Sequence, residues 1–156
     1  MKPLFLLVAS FPDSLTKFRG PLIDLLLESG KDVHVAVPDL APQGEIALAL
    51  ANKGVRVHDV PLHRTGLNPV RDLRLLLSLA ILMLRLRPQF VLSYTIKPVV
   101  YGSIAAWLAG VTHRFVLVTG LGYAFTGTAS GKRALLRRLI QQLYRFALKR
   151  THRVFF

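Results

Sequence analysis

Apolar positions along the chain alternate between short continuous runs and stretches with helical spacing. Leu4 to Ala9 is a continuous apolar run of strand length. "SLTKFRGPLIDLLLESG" (14–30) then has the spacing of a helix and ends at Gly30, where a helix-terminating glycine belongs. Asp32 to Val37 ("DVHVAV") alternates as a strand, "QGEIALALANKG" reads as a short helix closed by Gly54, and "VRVHDV" (55–60) as a third strand. Asn68 and Pro69 open a long helix through Leu86, with asparagine capping and proline in the first turn, and Arg87-Pro88 stops it. Phe90 to Ile96 is predicted as a fourth strand, Val99 to Ala109 as a helix, and Phe115 to Thr119 as a fifth strand. A basic helix from about Lys132 to Arg150 precedes "HRVFF", a sixth strand.

Strands that alternate with helices and are nearly all apolar predict a parallel sheet covered on both faces. Right-handed crossovers make it a doubly wound, Rossmann-like α/β sheet of six strands, in the order 3-2-1-4-5-6. At 156 residues the chain accommodates one domain with a proper core. No solenoid repeat, low-complexity tract or linker divides it. Because "RVFF" ends inside a predicted strand, the expectation is that this domain is the first half of something longer.

Composition sharpens the picture. Hydrophobic residues make up 52 % and mean hydropathy is +0.43, more apolar than an average soluble domain. Doubly covered strands explain part of this, and membrane contact is the other reading. The longest uncharged runs, Pro98–Thr112 and Phe115–Gly131, are interrupted by Gly, Ser or Thr, and Leu75–Leu84 stops at Arg85. None supplies the ~20 apolar residues of a spanning helix. The opening "MKPLFLLVAS" reads as a strand rather than a signal peptide. With no cysteine, disulfides and thiolate chemistry are excluded.

Charge is divided along the chain. All eight carboxylates lie in residues 1–72 with eight Lys/Arg, whereas residues 73–156 carry thirteen Lys/Arg and no acid. The formal charge of +13 therefore sits in the second half and calls for an anionic partner.

In a doubly wound sheet the ligand crevice lies beyond the carboxyl ends of the strands, at the switch point between the first and fourth. Three loops reach it. "ASFPDSLTKFRG" (9–20) lacks the G-x-G-x-x-G of a dinucleotide site but brings Lys17 and Arg19 to the start of the first helix. There they are either solvated charges or anion contacts. Lys97, between strand four and Pro98, is either a loop lysine reaching solvent or a phosphate or hydroxyl contact; its place in the crevice favours the contact. "VTGLGYAFTGTASGK" (118–132) is glycine-rich, offers Tyr123 and Phe125 as stacking faces, and fails the P-loop pattern in spacing and in Arg133. It reads as a lid or as part of the site.

On the basic helix, Leu136, Leu139, Ile140, Leu143 and Ala147 are expected to face the core, while Arg133, Arg137, Gln141, Arg145 and Lys149 share another face. That second face either meets water or lies on anionic lipid, with Arg138 adding to it. No nucleic-acid motif accompanies it, so nucleic acid is not an expected partner. The five histidines show no metal spacing, and no metal site is expected.

Five stretches, "FRGPLIDLL" (18–26), "RTGLNPVRDL" (64–73), "YTIKPVVYGSIAA" (94–106), "VTGLGYAFTG" (118–127) and "LYRFAL....RVFF" (143–156), occur in an order and spacing that resemble one group. The chain is similar to the N-terminal half of bacterial family 4 glycosyltransferases of the GT-B fold that extend sugars on a polyprenyl-diphosphate carrier. The resemblance covers essentially all 156 residues. It implies an acceptor-binding domain of a retaining enzyme of O-antigen, capsule or lipid-linked oligosaccharide synthesis, using a nucleotide sugar such as a UDP-sugar as donor and no cofactor. A C-terminal donor domain, marked by two glutamates separated by seven residues, is expected as a partner. Glu28 and Glu45, separated by sixteen, do not supply that pair, so this half alone is expected to be inactive.

The resemblance places Arg19 and Lys97 at acceptor or donor phosphates as the catalytic cations. It places Phe18, Tyr94, Tyr101, Thr119, Gly120, Gly122 and Tyr123 at substrate. Where many GT-B enzymes carry a histidine near the end of strand four, this chain has "YTIK", so Lys97 is expected to act electrostatically instead. The lipid carrier implies a peripheral position on the inner face of the cytoplasmic membrane, held through the basic helix. The rival reading is a non-catalytic basic module that binds anionic membrane or another anionic partner.

Overall fold

A computed structural model describes residues 2–64, 66, 68–120 and 132–156, without the side chains of 132–134, 136 and 137. Six parallel strands form one sheet: β1 (Leu4–Val8), β2 (Asp32–Val37), β3 (Arg56–Asp59), β4 (Phe90–Tyr94), β5 (His113–Leu117) and β6 (Arg153–Phe155). Their order is β3-β2-β1-β4-β5-β6, as the alternation predicts. β1 is central, registering Leu6 with His34 on one side and with Val91 on the other. Its side chains alternate between two cores, which is why the run is apolar without interruption. Phe5 and Leu7 face one helical layer, Leu6 and Val8 the other. Each fully buried leucine here contributes about 1.5–3 kcal/mol.

The first layer holds α1 (Asp13–Lys17), α2 (Gly20–Glu28) and α3 (Glu45–Asn52). The second holds α4 (Pro69–Leu86), α5 (Ser103–Leu108) and α6 (Lys132–Leu148), with a π-helical turn, Pro98–Gly102, leading into α5. Gly102 lets this turn press on β4, because a Cβ there would stand 2.5 Å from the buried Ser93 Oγ. Asn68 caps α4 as expected, its side-chain oxygen accepting from the N–H groups of Val70 (3.1 Å) and Arg71 (3.2 Å).

Three expectations are corrected. Residues 14–30 form two helices, not one, since Phe18 and Arg19 leave helical geometry ahead of Pro21. Proline cannot donate to the preceding turn and its ring crowds the carbonyl four residues back. β4 ends at Tyr94 rather than Ile96, because Thr95 turns to φ +70°. On α6 the core-facing side is rotated: Tyr144 and Ala147 are buried, Leu143 and Leu148 partly so, and Leu139 is 55 % exposed. Tyr144 packs with Val99, Ile104 and Val116, so the bulkier residue takes the inward position.

Candidate functional site

Strand order reverses between β1 and β4, and a cleft of about 270 Å³ opens above their carboxyl ends, lined by Ser10, Arg64, Thr95, Ile96, Lys97, Thr119 and Gly120. Ser10 follows β1, Thr95 to Lys97 follow β4, and Thr119 and Gly120 follow β5. Arg64 comes from the segment between β3 and α4. Of the residues singled out from sequence, the cleft brings together Lys97, Thr119 and Gly120.

Lys97 already holds an anion of its own chain. Its Nζ lies 2.8 Å from Asp72 Oδ1, and the two side chains are 11 % and 8 % exposed. Asp72 stands in the first turn of α4, where the free N–H groups and the helix dipole favour a carboxylate. The Tyr101 hydroxyl also donates to Asp72; burial, then the charge and hydrogen bond of Asp72, push the phenol's pKa up. Lys97 is therefore not a free cation waiting at the mouth, as its loop position suggested. It is held by Asp72 and also lines the cleft.

The floor between the two loops is tied by a hydroxyl pair. Thr95 Oγ1 donates to Ser10 Oγ at 2.8 Å, joining the segments after β4 and β1. Thr95 does this at φ +70°, a left-handed conformation that a β-branched residue adopts only when its surroundings impose it. Gly120, at φ +150°, closes the other side in a conformation that strains residues with a Cβ. Arg64 is exposed, and its guanidinium stacks over the Phe11 ring at 4.4 Å, which holds it beside the cleft. Two cations thus face a concave surface whose lining, among the described residues, contains no carboxylate. Such a surface suits a phosphate or diphosphate.

The other sequence-derived residues fall elsewhere. Arg19 does not line the cleft; its guanidinium lies 4.9 Å above the Tyr94 ring and donates to Phe18 O at 3.1 Å. Tyr94 is 1 % exposed and its hydroxyl pairs with Ser14 Oγ at 2.9 Å. Burial raises the Tyr94 pKa, opposed by Ser14 and Arg19. Phe18 stands in solvent at 63 %. Tyr101 serves Asp72 rather than lining the cleft. Gly122 and Tyr123 lie outside the described residues, as do the side chains of Arg133 and Arg137 on α6, whereas Arg138, Arg145 and Lys149 are exposed. Arg64, Ser10, Thr95 and Asp72 carried no assignment from sequence. Asp72 had one available signal: it is the last acid before a stretch of thirteen unopposed cations.

Residues 6–156 match the family model described as glycosyl transferase 4-like. The N,N'-diacetylbacillosaminyl-diphospho-undecaprenol alpha-1,3-N-acetylgalactosaminyltransferase of Campylobacter jejuni is 33 % identical over 143 residues. That covers 92 % of this chain and 37 % of the relative, so the chain spans little more than a third of its length. Among solved structures, MurG of Acinetobacter baumannii superposes with a TM-score of 0.54 at 15 % identity, over 90 % of this chain and 39 % of that one. A Glycyrrhiza uralensis UGT protein, complexed with glycyrrhetinic acid 3-O-monoglucuronide, gives 0.62 at 11 % identity over 99 % and 43 %. At such identities these two show a shared fold alone.

Proposed function

The chain belongs to the glycosyl transferase 4-like family, and we propose that it is the acceptor-side domain of a retaining transferase that moves a sugar from a nucleotide sugar to a polyprenyl-diphosphate-linked sugar. The observation that carries this reading is the cleft at the β1–β4 switch point, where Arg64 and an anchored Lys97 line an opening that has no carboxylate among its described lining residues. The name of the Campylobacter jejuni relative, which places its substrate on diphospho-undecaprenol, supports the acceptor class.

In this reading Arg64 offers a planar fork to phosphate oxygens, and Lys97 a point charge beside it. Cations held by Phe11 and Asp72 need no rearrangement as charge develops on a diphosphate, which is the condition for effective electrostatic stabilisation. Arg19 and Phe18 lie outside the cleft lining, and Arg19 acts through its contact with the Tyr94 ring. The donor, a UDP-sugar, is bound by a further domain, without which this domain does not turn over; the reading assigns no cofactor. The enzyme sits peripherally on the inner face of the cytoplasmic membrane in a pathway of surface polysaccharide or lipid-linked oligosaccharide synthesis. Arg133, Arg137, Arg138, Arg145 and Lys149 on α6 are drawn to anionic head groups at about 1 kcal/mol each near the surface. Among the described residues, no helix is long and apolar enough to cross a membrane.

The test is transfer from a UDP-sugar to a diphospho-undecaprenol-linked sugar by the complete enzyme. Arg64→Ala is expected to lower kcat/KM by about 10²-fold, the scale of losing one fixed electrostatic contact. Folded Arg64→Ala and Lys97→Ala enzymes with parental kcat/KM would remove the assignment.

A further inference from the structure

Two buried hydroxyls meet at the carboxyl end of the sheet from distant parts of the chain. Tyr94, the last residue of β4, and Ser14, in α1, are 1 % and 2 % exposed. Tyr94 Oη lies 2.9 Å from Ser14 Oγ, across eighty residues of sequence. Ser14 Oγ in turn lies 2.7 Å from the carbonyl oxygen of Phe11. A carbonyl only accepts, so the single Ser14 hydroxyl proton goes to Phe11, and Tyr94 must donate to Ser14. The direction of the chain is thereby fixed, from Tyr94 O–H to Ser14 O–H to Phe11 C=O. Each bond polarises the next, and neither buried hydroxyl proton is left without an acceptor.

Phe11 is where this chain of bonds reaches the cleft. It follows Ser10, which lines the cleft, and precedes Pro12, whose ring disfavours helical geometry at Phe11. Its carbonyl is gripped twice, by Ser14 Oγ and, at 3.4 Å, by the Ser14 N–H. Its ring carries the Arg64 guanidinium at 4.4 Å. Arg64 is exposed, and among the described residues no hydrogen bond or ion pair holds it; the ring is its anchor. An arginine has large rotamer entropy, so where its head stands depends on that ring. Lys97, by contrast, is held through Asp72 from α4. The two cations of the cleft therefore have separate supports.

We propose that Tyr94 and Ser14 are positioning residues for Arg64: their hydroxyl chain fixes the Phe11 carbonyl, and the Phe11 ring so placed holds the guanidinium beside the cleft. This rests on the reading above that the cleft takes a diphosphate. Neither Tyr94 nor Ser14 lines the cleft; both act through Phe11. Arg19, 4.9 Å above the Tyr94 ring, joins the same support at its buried end. A cation held in place before the ligand arrives loses less on meeting an oxyanion than a mobile one does. Loss of either hydroxyl is accordingly felt at Arg64 and not at Lys97.

The experiment has two arms, both on the full chain. The first, without ligand, is NMR relaxation of the Arg64 Nε–H group, which is expected to be more restricted in the parent than that of the exposed Arg71. Phe11→Leu, Ser14→Ala and Tyr94→Phe are each expected to free it at an unchanged circular dichroism spectrum, and Phe11→Trp to restore the restriction. Tyr94→Phe keeps the ring that Arg19 covers and removes the hydroxyl alone, so it serves if Ser14→Ala does not fold. The second arm is calorimetric titration with inorganic pyrophosphate. Phe11→Leu is expected to weaken binding about two- to fivefold, the size of an exposed cation–π contact, with Ser14→Ala and Tyr94→Phe inside that range. These losses are expected to vanish in an Arg64→Ala background and to persist in Lys97→Met, a pattern that a general loss of stability does not produce. The proposal is overturned if Arg64 moves alike in the parent, Ser14→Ala and Tyr94→Phe, or if their pyrophosphate losses are as large without Arg64. Restriction of Arg64 that the variants release, in a parent that binds no pyrophosphate, sustains the positioning and defeats the diphosphate reading of the cleft instead.

Discussion

Lys97→Met tests how the candidate site is built. The substitution keeps the aliphatic stem and leaves Asp72, 8 % exposed, as a carboxylate without its cation. Removing one partner of a buried ion pair costs about 3–5 kcal/mol, mostly the desolvation of the charge left behind. Here the cost belongs at the lower end. Tyr101 still donates to Asp72, and the first turn of α4 still offers its N–H groups and dipole. About 3 kcal/mol in a domain of this size corresponds to a fall in Tm of roughly 6–12 °C. Asp72→Asn, which leaves an ammonium beside a neutral amide, is expected to cost a comparable amount. The double variant should cost distinctly less than the sum, with a coupling of about 2 kcal/mol or more. Urea denaturation of the four proteins, followed by circular dichroism, reads all three numbers. If Lys97→Met unfolds within about 0.5 kcal/mol of the parent and the double variant is additive, the pair is not a buried lock. Lys97 would then be the solvated loop lysine that its sequence position also allowed.

Two further results follow from the same geometry. Thr95→Val keeps the branched side chain at φ +70° and removes the hydroxyl given to Ser10, so it is expected to cost about 1 kcal/mol; Thr95→Gly should cost less, because glycine relieves left-handed strain worth about 1–3 kcal/mol. Chemical denaturation ranks the two, and the reverse order would mean that the backbone is unstrained. His34 and His58 meet at 2.9 Å between Nδ1 and Nε2 on adjacent strands. Burial lowers the pKa of both from 6.5; Asp32 opposes it at His34, and the charge of His34 adds to it at His58. The unfolded chain then binds more protons, so their contribution is full above pH 6.5 and is lost as pH falls through the lowered folded-state values. A denaturation midpoint that drops between neutral pH and pH 5, and drops less in His58→Gln, is the expected outcome; equal pH dependence in both proteins refutes the role of the pair.

Fold and site were legible to different depths. Pattern and punctuation sufficed for the sheet, because each strand is apolar for its own length and each connection is long enough only for a helical crossover. Asn68 and Pro69 marked the start of α4 by local chemistry alone. The break at Phe18 was also written locally, in Pro21, although apolar spacing on either side of it imitates a single helix. The position of Lys97 at the crevice followed from the topology rule, and its neighbours Thr119 and Gly120 from the strand that precedes them.

What the chain's own order could not disclose is which groups meet across it. Asp72 and Lys97 are twenty-five residues apart and pair only because α4 packs against the π-helical turn that follows β4. On α4 and α6, apolar residues occur around more than one face, so periodicity offers two ways to seat each helix. The choice is made by volume against the neighbours: Leu75, Leu79 and Met83 enter one core and Tyr144 another, leaving Leu77, Ile81 and Leu139 outside. Local sequence set the strands, their order and the caps, since those depend on short-range sterics and burial pattern. Long-range packing decided the rest, because an ion pair, a strained Thr95 and an uncovered stripe exist only once distant segments occupy the same space.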